Sequence, residues 1–214
     1  MINFLNKIRR PKKISQTKNL LYTASILIMG VILGVISKVL DTIPSNYLPY
    51  SLEMLDLGNF FSRMGVWIFL AVVISMYSKS PIRSAINTFL FFAGMVGSYY
   101  LYTVLVAGFF PKSYMMIWIF MTIISPFLAI VCWYAKGKGI VAITISSIIF
   151  MLITRQAFGF GVWYFYIKYN LELLLWFATI FVLYQSPKQI IQVVTIGMIL
   201  RFLTNEINLF WGML

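Results

Sequence analysis

Residues 67–97 read WIFLAVVISMYSKSPIRSAINTFLFFAGMVG. Two apolar runs flank a short turn that carries Lys79, Pro81 and Arg83. With their continuations on either side, both runs approach the roughly 20 residues needed to cross the hydrocarbon core of a bilayer. Proline disfavours helical geometry in the residue before it, so Ser80-Pro81 separates two helices. Basic residues favour the cytoplasmic side of a membrane, and so they orient the turn. This stretch is a transmembrane hairpin, and the rest of the chain divides in the same way.

Composition agrees. Hydrophobic residues make up 61% of the chain, charged residues 10%, and mean hydropathy is +0.91. A soluble domain of 214 residues has far less apolar and far more charged content. The expected fold class is all-α, a polytopic transmembrane helix bundle of seven spans or six, with the N-terminus cytoplasmic. Residues 1–18 form a basic cytoplasmic tail, and residues 19–214 a single transmembrane domain.

The tail carries Lys7, Arg9, Arg10, Lys12, Lys13 and Lys18 and no acid. The apolar run that follows is too long for a signal peptide and lacks a small-residue cleavage site. The tail is therefore expected to touch anionic lipid, at about 1 kcal/mol per basic residue, and no nucleic-acid role is assigned to it. Segment 1 covers residues 20–40 and contains Gly30 and Gly34, a pair that lets helices approach closely. A polar connection over 41–59 contains Asp41, Glu53 and Asp56. Segment 2 covers 60–77, with Arg63 about three residues inside it. Segment 3 covers 85–107, and segment 4 covers 114–135, where Pro126 predicts a kink.

Segment 5 covers 140–154 and ends at Arg155. The aromatic and glycine-rich stretch 158–169 reads as an interfacial belt. Segment 6 covers 171–184. Residues 189–214 are segment 7 or a tilted interfacial helix. As a span beginning near Gln189, this segment places Arg201 roughly 18 Å in, just past the midplane.

Charge orients this arrangement. Eleven of the seventeen basic residues fall on the cytoplasmic side: the six of the tail with Lys79, Arg83, Lys136, Lys138 and Lys188. The outer half receives Lys38, Arg63, Lys112, Arg155, Lys168 and Arg201, together with all five acids: Asp41, Glu53, Asp56, Glu172 and Glu206. Lys38 and Asp41 are three residues apart, the spacing of a local ion pair on a helix.

Segments 2 and 6 end in similar strings, WIFLAVVISMYSKSP at 67–81 and WFATIFVLYQSP at 176–187. Segments 3 and 7 share AGMVG at 93–97 and IGMIL at 196–200, and segments 1 and 5 share ISK at 36–38 and ITR at 153–155. The matching segments run in the same direction. Residues 19–108 and 139–214 thus read either as parallel repeats linked by segment 4 at 114–135, or as apolar strings alike by chance. A three-one-three layout resembles the architecture of the small sugar facilitators known as SWEETs, although this chain lacks the prolines of their gating helices.

The chain also resembles an uncharacterised group of bacterial integral membrane proteins with no assigned activity. The likeness rests on SRMGVWIFLAVVISMYSKSPIRSA at 62–85, GSYYLYT at 97–103 and FFPKSYMMIW at 109–118. The resemblance implies a bacterial cytoplasmic membrane and no particular chemistry.

The chain has no histidine and a single cysteine, Cys132. The commonest metal ligand and the usual general base are therefore missing. No phosphate-binding loop occurs in the sequence, and no serine is flanked by a suitable lysine. The expectation is a protein that is not an enzyme and uses no cofactor or metal. Charges inside a bilayer cost about 2.5–3.5 kcal/mol each on insertion scales and mark pairs or pathways. The candidate substrate-binding residues are Arg201, Glu206, Arg63, Glu172, Arg155, Asp41, Tyr99 and Tyr100, lining an outward-facing polar cavity for a small polar or zwitterionic solute. Solute transport or capture is one reading. A non-transporting membrane partner, an immunity, assembly or sensory protein acting by helix packing, is the other, and homo-oligomers fit either.

Overall fold

The structure is a computed structural model, and it describes residues 2–12, 15–44, 47, 49–108, 112–161 and 163–205. A short helix α1 (Ile2–Ile8) precedes the long α2 (Gln16–Thr42), which Ser15 starts by accepting a hydrogen bond from the Lys18 N–H. Two short helices, α3 (Tyr50–Met54) and α4 (Leu57–Ser62), lead into α5 (Met64–Tyr77). Then come α6 (Pro81–Tyr102), continued by a π turn (Thr103–Ala107), α7 (Lys112–Trp133), a 3₁₀ turn (Tyr134–Lys136) and α8 (Gly139–Ala157). A hairpin of β1 (Phe158–Phe160) and β2 (Phe165–Ile167) precedes α9 (Asn170–Leu183) and α10 (Pro187–Leu203).

The described residues are overwhelmingly helical. Four stretches are long and apolar enough to cross a membrane: Gln16–Thr42, Pro81–Val106, Lys112–Lys136 and Gly139–Ala157. The helices Met64–Tyr77 and Asn170–Leu183 are apolar but shorter.

The turns explain where helices begin. Ser80 Oγ accepts from the Arg83 N–H at 3.2 Å and Ser186 Oγ from the Gln189 N–H at 3.3 Å. In both, proline follows at the first helical position, where its missing N–H costs nothing. α6 and α10 thus open with the same cap. The helices before them, α5 and α9, are each 14 residues long.

α2 packs along α6. A Cβ at Gly30 or Gly34 would collide with the carbonyl oxygens of Phe91 and Met95, so glycine sets this approach. The glycine pair therefore serves packing within the chain. Gly197 of α10 does the same against Ser147 and Phe150 of α8. Two cores result. One joins Trp67, Phe91 and Trp118, with Trp67 6.3 Å from each of the other rings; the second joins Met76, Phe150, Leu183 and Val193. Several polar atoms inside the bundle are matched: Thr23 donates to Asn87 at 2.7 Å, Asn87 donates to Ser78 at 3.1 Å, and Ser75 meets Thr88 at 3.1 Å. Unmatched, such groups would destabilise an apolar interior.

The chain alternates between two ends. One gathers α1, the α5–α6 turn, the 3₁₀ turn and the α9–α10 turn, and we call it the basic end. The other gathers the last turns of α2, α6, α8 and α10, the first turns of α5 and α9, and the hairpin; it holds Asp41, Asp56 and Glu172 and is the acidic end.

Four details differ from the sequence reading. Segment 2 is not one helix: α4 stops at Ser62, Arg63 is extended (φ −82°, ψ 154°), and α5 starts at Met64. Arg63 therefore lies at a break, where its side chain reaches partners on α9. The aromatic stretch after α8 is an antiparallel hairpin with Gly159 opposite Tyr166, because Phe, Tyr and Ile favour extended strands and Gly159 leaves room for the Tyr166 ring. Arg201 belongs to the last turn of α10, which ends at Leu203, and not to the middle of a longer helix. The basic tail is partly folded: Ile8 is buried, and its carbonyl accepts from the Lys138 N–H at 2.9 Å.

Candidate functional site

The acidic end separates the sequence-derived candidates into three groups. The first is centred on Glu172, in the first turn of α9 and 1% exposed. Arg63 holds it with two nitrogens: Nε donates to one carboxylate oxygen, and Nη2 to the other at 3.3 Å. The two-point geometry suits a planar guanidinium. Arg63 Nη1 also donates to Asp56 at 3.2 Å, and the guanidinium lies 3.8 Å from the Tyr169 ring centre. Asp56 occupies the left-handed region (φ 51°), which a short polar side chain tolerates, and accepts from Asn59 at 2.6 Å. Gly65 lies against the side-chain stems of Glu172 and Gln156.

The second group is Lys38, Asp41 and Tyr99. Lys38 is buried near the end of α2 and pairs with Asp41 at 2.8 Å, as the i,i+3 spacing predicts. The Tyr99 hydroxyl donates to the same carboxylate oxygen at 3.0 Å, and Lys38 Nζ lies 5.1 Å from the Tyr99 ring centre. Tyr100 turns inward, edge-on to Tyr99 at 5.2 Å. The cavity beside them, between Ser37, Tyr100, Tyr114 and Trp118, measures about 20 Å³. That is room for about one water.

The third group is all cationic. Arg155 is buried at the end of α8 and donates to the Thr204 carbonyl at 3.2 Å. Lys168, after β2, donates to the Arg155 carbonyl at 3.3 Å. Burial lowers the Lys168 pKa, and the nearby Arg201 and Arg155 lower it further. Arg201 is buried, donates to Asn205 at 2.9 Å and lies 5.1 Å from the Phe160 ring centre. Glu206, expected beside Arg201, lies outside the described residues.

The structure thus unites Arg63 with Glu172 and gathers Arg155 with Arg201, while Asp41, Tyr99 and Tyr100 form a separate corner. These residues do not line one common cavity. A space of about 170 Å³ borders the first and third groups, between Asp56, Arg63, Lys168, Tyr169 and Asn170. Asp56, Lys168 and Tyr169 were not among the sequence candidates. Asp56 and Lys168 carried a signal, since both are charged residues in short connections beside apolar segments. Tyr169 carried none, because its role depends on α9 meeting α5.

Two larger spaces lie elsewhere. One, about 330 Å³ and almost wholly apolar, lies among α5, α6, α7 and α8. The other, about 220 Å³, opens at the basic end between Arg9, Arg10, Lys12, Lys79, Lys136 and Trp133. Among the described residues no group of three His, Cys, Asp or Glu side chains is placed to hold a metal ion.

Comparison with known proteins adds one relationship. No curated protein and no solved structure matches the chain. A family model does match, over residues 13–140, which takes in α2 to α7 and the turn after α7. The chain therefore belongs to DUF6518, a family of unknown function.

Proposed function

We propose that this multi-pass protein of the bacterial cytoplasmic membrane captures or passes a small polar or zwitterionic solute between two parallel three-helix halves joined by α7. In this reading seven segments cross the bilayer, the basic end is cytoplasmic, and no step is enzymatic or needs a cofactor. One observation carries it: Arg63 and Glu172 join the first turn of α5 to the first turn of α9, the second helices of the two halves. Their equal length, the matching Ser-Pro caps of α6 and α10, and the glycine-set packing of α2 on α6 and of α10 on α8 support the two-half description. The pair closes the acidic end. Opening it would free a guanidinium and two carboxylates for a solute carrying both charges.

The test is thermal stabilisation of the purified protein by a metabolite library, followed by proteoliposome uptake of each hit. A hit should stabilise the parent, and Arg63→Ala and Glu172→Ala should abolish both its stabilisation and its uptake. Ligands that stabilise parent and variants alike would place the site elsewhere. If none stabilises the parent, the transport reading fails. The second reading, a non-transporting membrane partner, then stands, and one observation already favours it: Lys38, Arg63, Asp41, Asp56 and Glu172 engage one another.

A further inference from the structure

The basic end gathers cations without an acid. Its 220 Å³ cavity is lined by Arg9, Arg10, Lys12, Lys79 and Lys136, with Met76, Tyr77, Ser78 and Trp133, and no carboxylate. The three salt bridges among the described residues all lie at the opposite end. Two of the five cations have structural work. Arg9 donates to the carbonyls of Trp133 and Met76, the latter at 2.8 Å, with its guanidinium 4.2 Å from the Trp133 ring centre. Lys136 donates to the Tyr184 carbonyl at 3.2 Å. Arg10, Lys12 and Lys79 are exposed at the cavity.

The backbone holds these cations in place. The Lys12 N–H donates to the Lys79 carbonyl at 2.8 Å, which fixes the two lysines to adjacent strands of chain. A Cβ at Gly137 would come within 2.6 Å of Ile8 Cγ2, so α1 is seated closely on the turn before α8. A site ordered before its ligand arrives loses less entropy on binding than a free tail does. Like charges held this close also repel. Burial lowers the Arg9 pKa to about 10.

A free phosphate would use this cavity alone, but a second, apolar cavity lies along the same two helices. Val72 of α5 lies one turn from Met76, and Ala129 of α7 one turn from Trp133. One helical turn is about 5.4 Å. The cavity is bounded further on by Ile68, Phe92 and Ile149, and its rim, Leu128, Val131 and Ile148, is exposed on the outside of the bundle. A cationic pocket followed by an apolar groove open to the bilayer matches an anionic headgroup followed by a hydrocarbon chain.

We propose that the basic end holds an anionic phospholipid, with its phosphate among Arg10, Lys12 and Lys79 and an acyl chain in the cavity between α5, α6, α7 and α8. This is independent of whether a solute crosses the acidic end. The full chain in detergent micelles would be titrated with dioleoylphosphatidylglycerol, dioleoylphosphatidylcholine or glycerol phosphate, with binding read by native mass spectrometry and thermal midpoint. Phosphatidylglycerol should be retained at least tenfold better than phosphatidylcholine, and glycerol phosphate should have no comparable effect. Lys12→Gln with Lys79→Gln should reduce the preference by on the order of tenfold. The matched pair Lys138→Gln with Lys188→Gln, exposed at the same end but outside the cavity, should leave it within about twofold. Ala71→Phe, which fills the groove, should weaken phosphatidylglycerol retention while both lysines remain. Equal loss in the two lysine pairs would reduce the effect to general surface attraction and overturn the site. Stabilisation by glycerol phosphate equal to that by the lipid would overturn the lipid assignment, and unchanged retention in a folded Ala71→Phe would overturn the acyl-chain placement.

Discussion

The two ends of the bundle neutralise charge by different means. At the acidic end two groups of cations meet carboxylates, Lys38 with Asp41 and Arg63 with Asp56 and Glu172, and a third group, Arg155 with Lys168, meets main-chain carbonyls. At the basic end cations meet main-chain carbonyls: Arg9 meets those of Trp133 and Met76, and Lys136 that of Tyr184. Those carbonyls belong to the last turns of α5 and α7 and to the residue after α9. A helix C-terminus carries only about half a negative charge. One such end offsets part of a cation, and the clustered Arg10, Lys12 and Lys79 remain in surplus. The acidic end pairs its Lys38 and Arg63 groups within the chain, while the cavity of the basic end is lined by cations and no carboxylate.

That contrast can be broken, and the largest effect tests it first. Glu172→Ala removes the two-point partner of Arg63 and leaves the guanidinium Asp56 and Tyr169, and losing one partner of a buried pair costs about 3–5 kcal/mol, an upper bound here. Reversible unfolding in mixed micelles should show this loss, and a change below about 1 kcal/mol would mean the pair is not holding α5 to α9. Arg9→Ala removes two charge-assisted hydrogen bonds, worth about 1.5–3 kcal/mol each at most. Its second signature is faster proteolysis near α1, and undiminished protection would show that the tail is anchored without the guanidinium. Lys38→Met should cost less, about 1 kcal/mol, because Asp41 is partly exposed and keeps Tyr99. Lys79→Gln is expected to be the mildest, within about 0.5 kcal/mol. It should also reverse the pattern: raising salt from low ionic strength should stabilise the parent by screening the basic end, and stabilise this variant less. Equal salt responses would remove the claim of surplus charge.

Much of this contrast was visible in the chain. Acids collected between Asp41 and Glu206 while basic residues filled the tail and the alternate turns, and a positive-inside reading needs no more than that. Helical segments could be placed because apolar runs bounded by Ser-Pro, Lys-Gly and polar clusters leave few alternatives. Lys38–Asp41 followed from spacing, since its partners share one helix. Arg63–Glu172 did not follow in the same way. Both residues were candidates, yet 109 positions separate them, and their meeting depends on how α5 packs against α9. The break at Arg63 was hidden for the same reason: its extended backbone answers to partners elsewhere in the bundle. The hairpin after α8 was hidden behind its aromatics, which belong equally to a membrane interface and to a strand. Arg201 was misplaced because a long apolar stretch suggested a longer helix than α10.

The sequence by itself determined the apolar, helical class of the protein, the position of most of its helices and the two-sidedness of charge. These depend on local quantities: apolar length against bilayer thickness, proline at a turn, and the count of lysine and arginine in each connection. Only the tertiary structure decided which charges cancel one another and which remain, because burial and pairing are properties of space shared between distant segments. It also decided where the cavities lie. The chain marked the acidic end as the place for polar chemistry; the packed bundle tied Lys38, Arg63 and their carboxylates into ion pairs there and left the larger spaces beside α5 and α7, one lined by cations and the other by hydrocarbon.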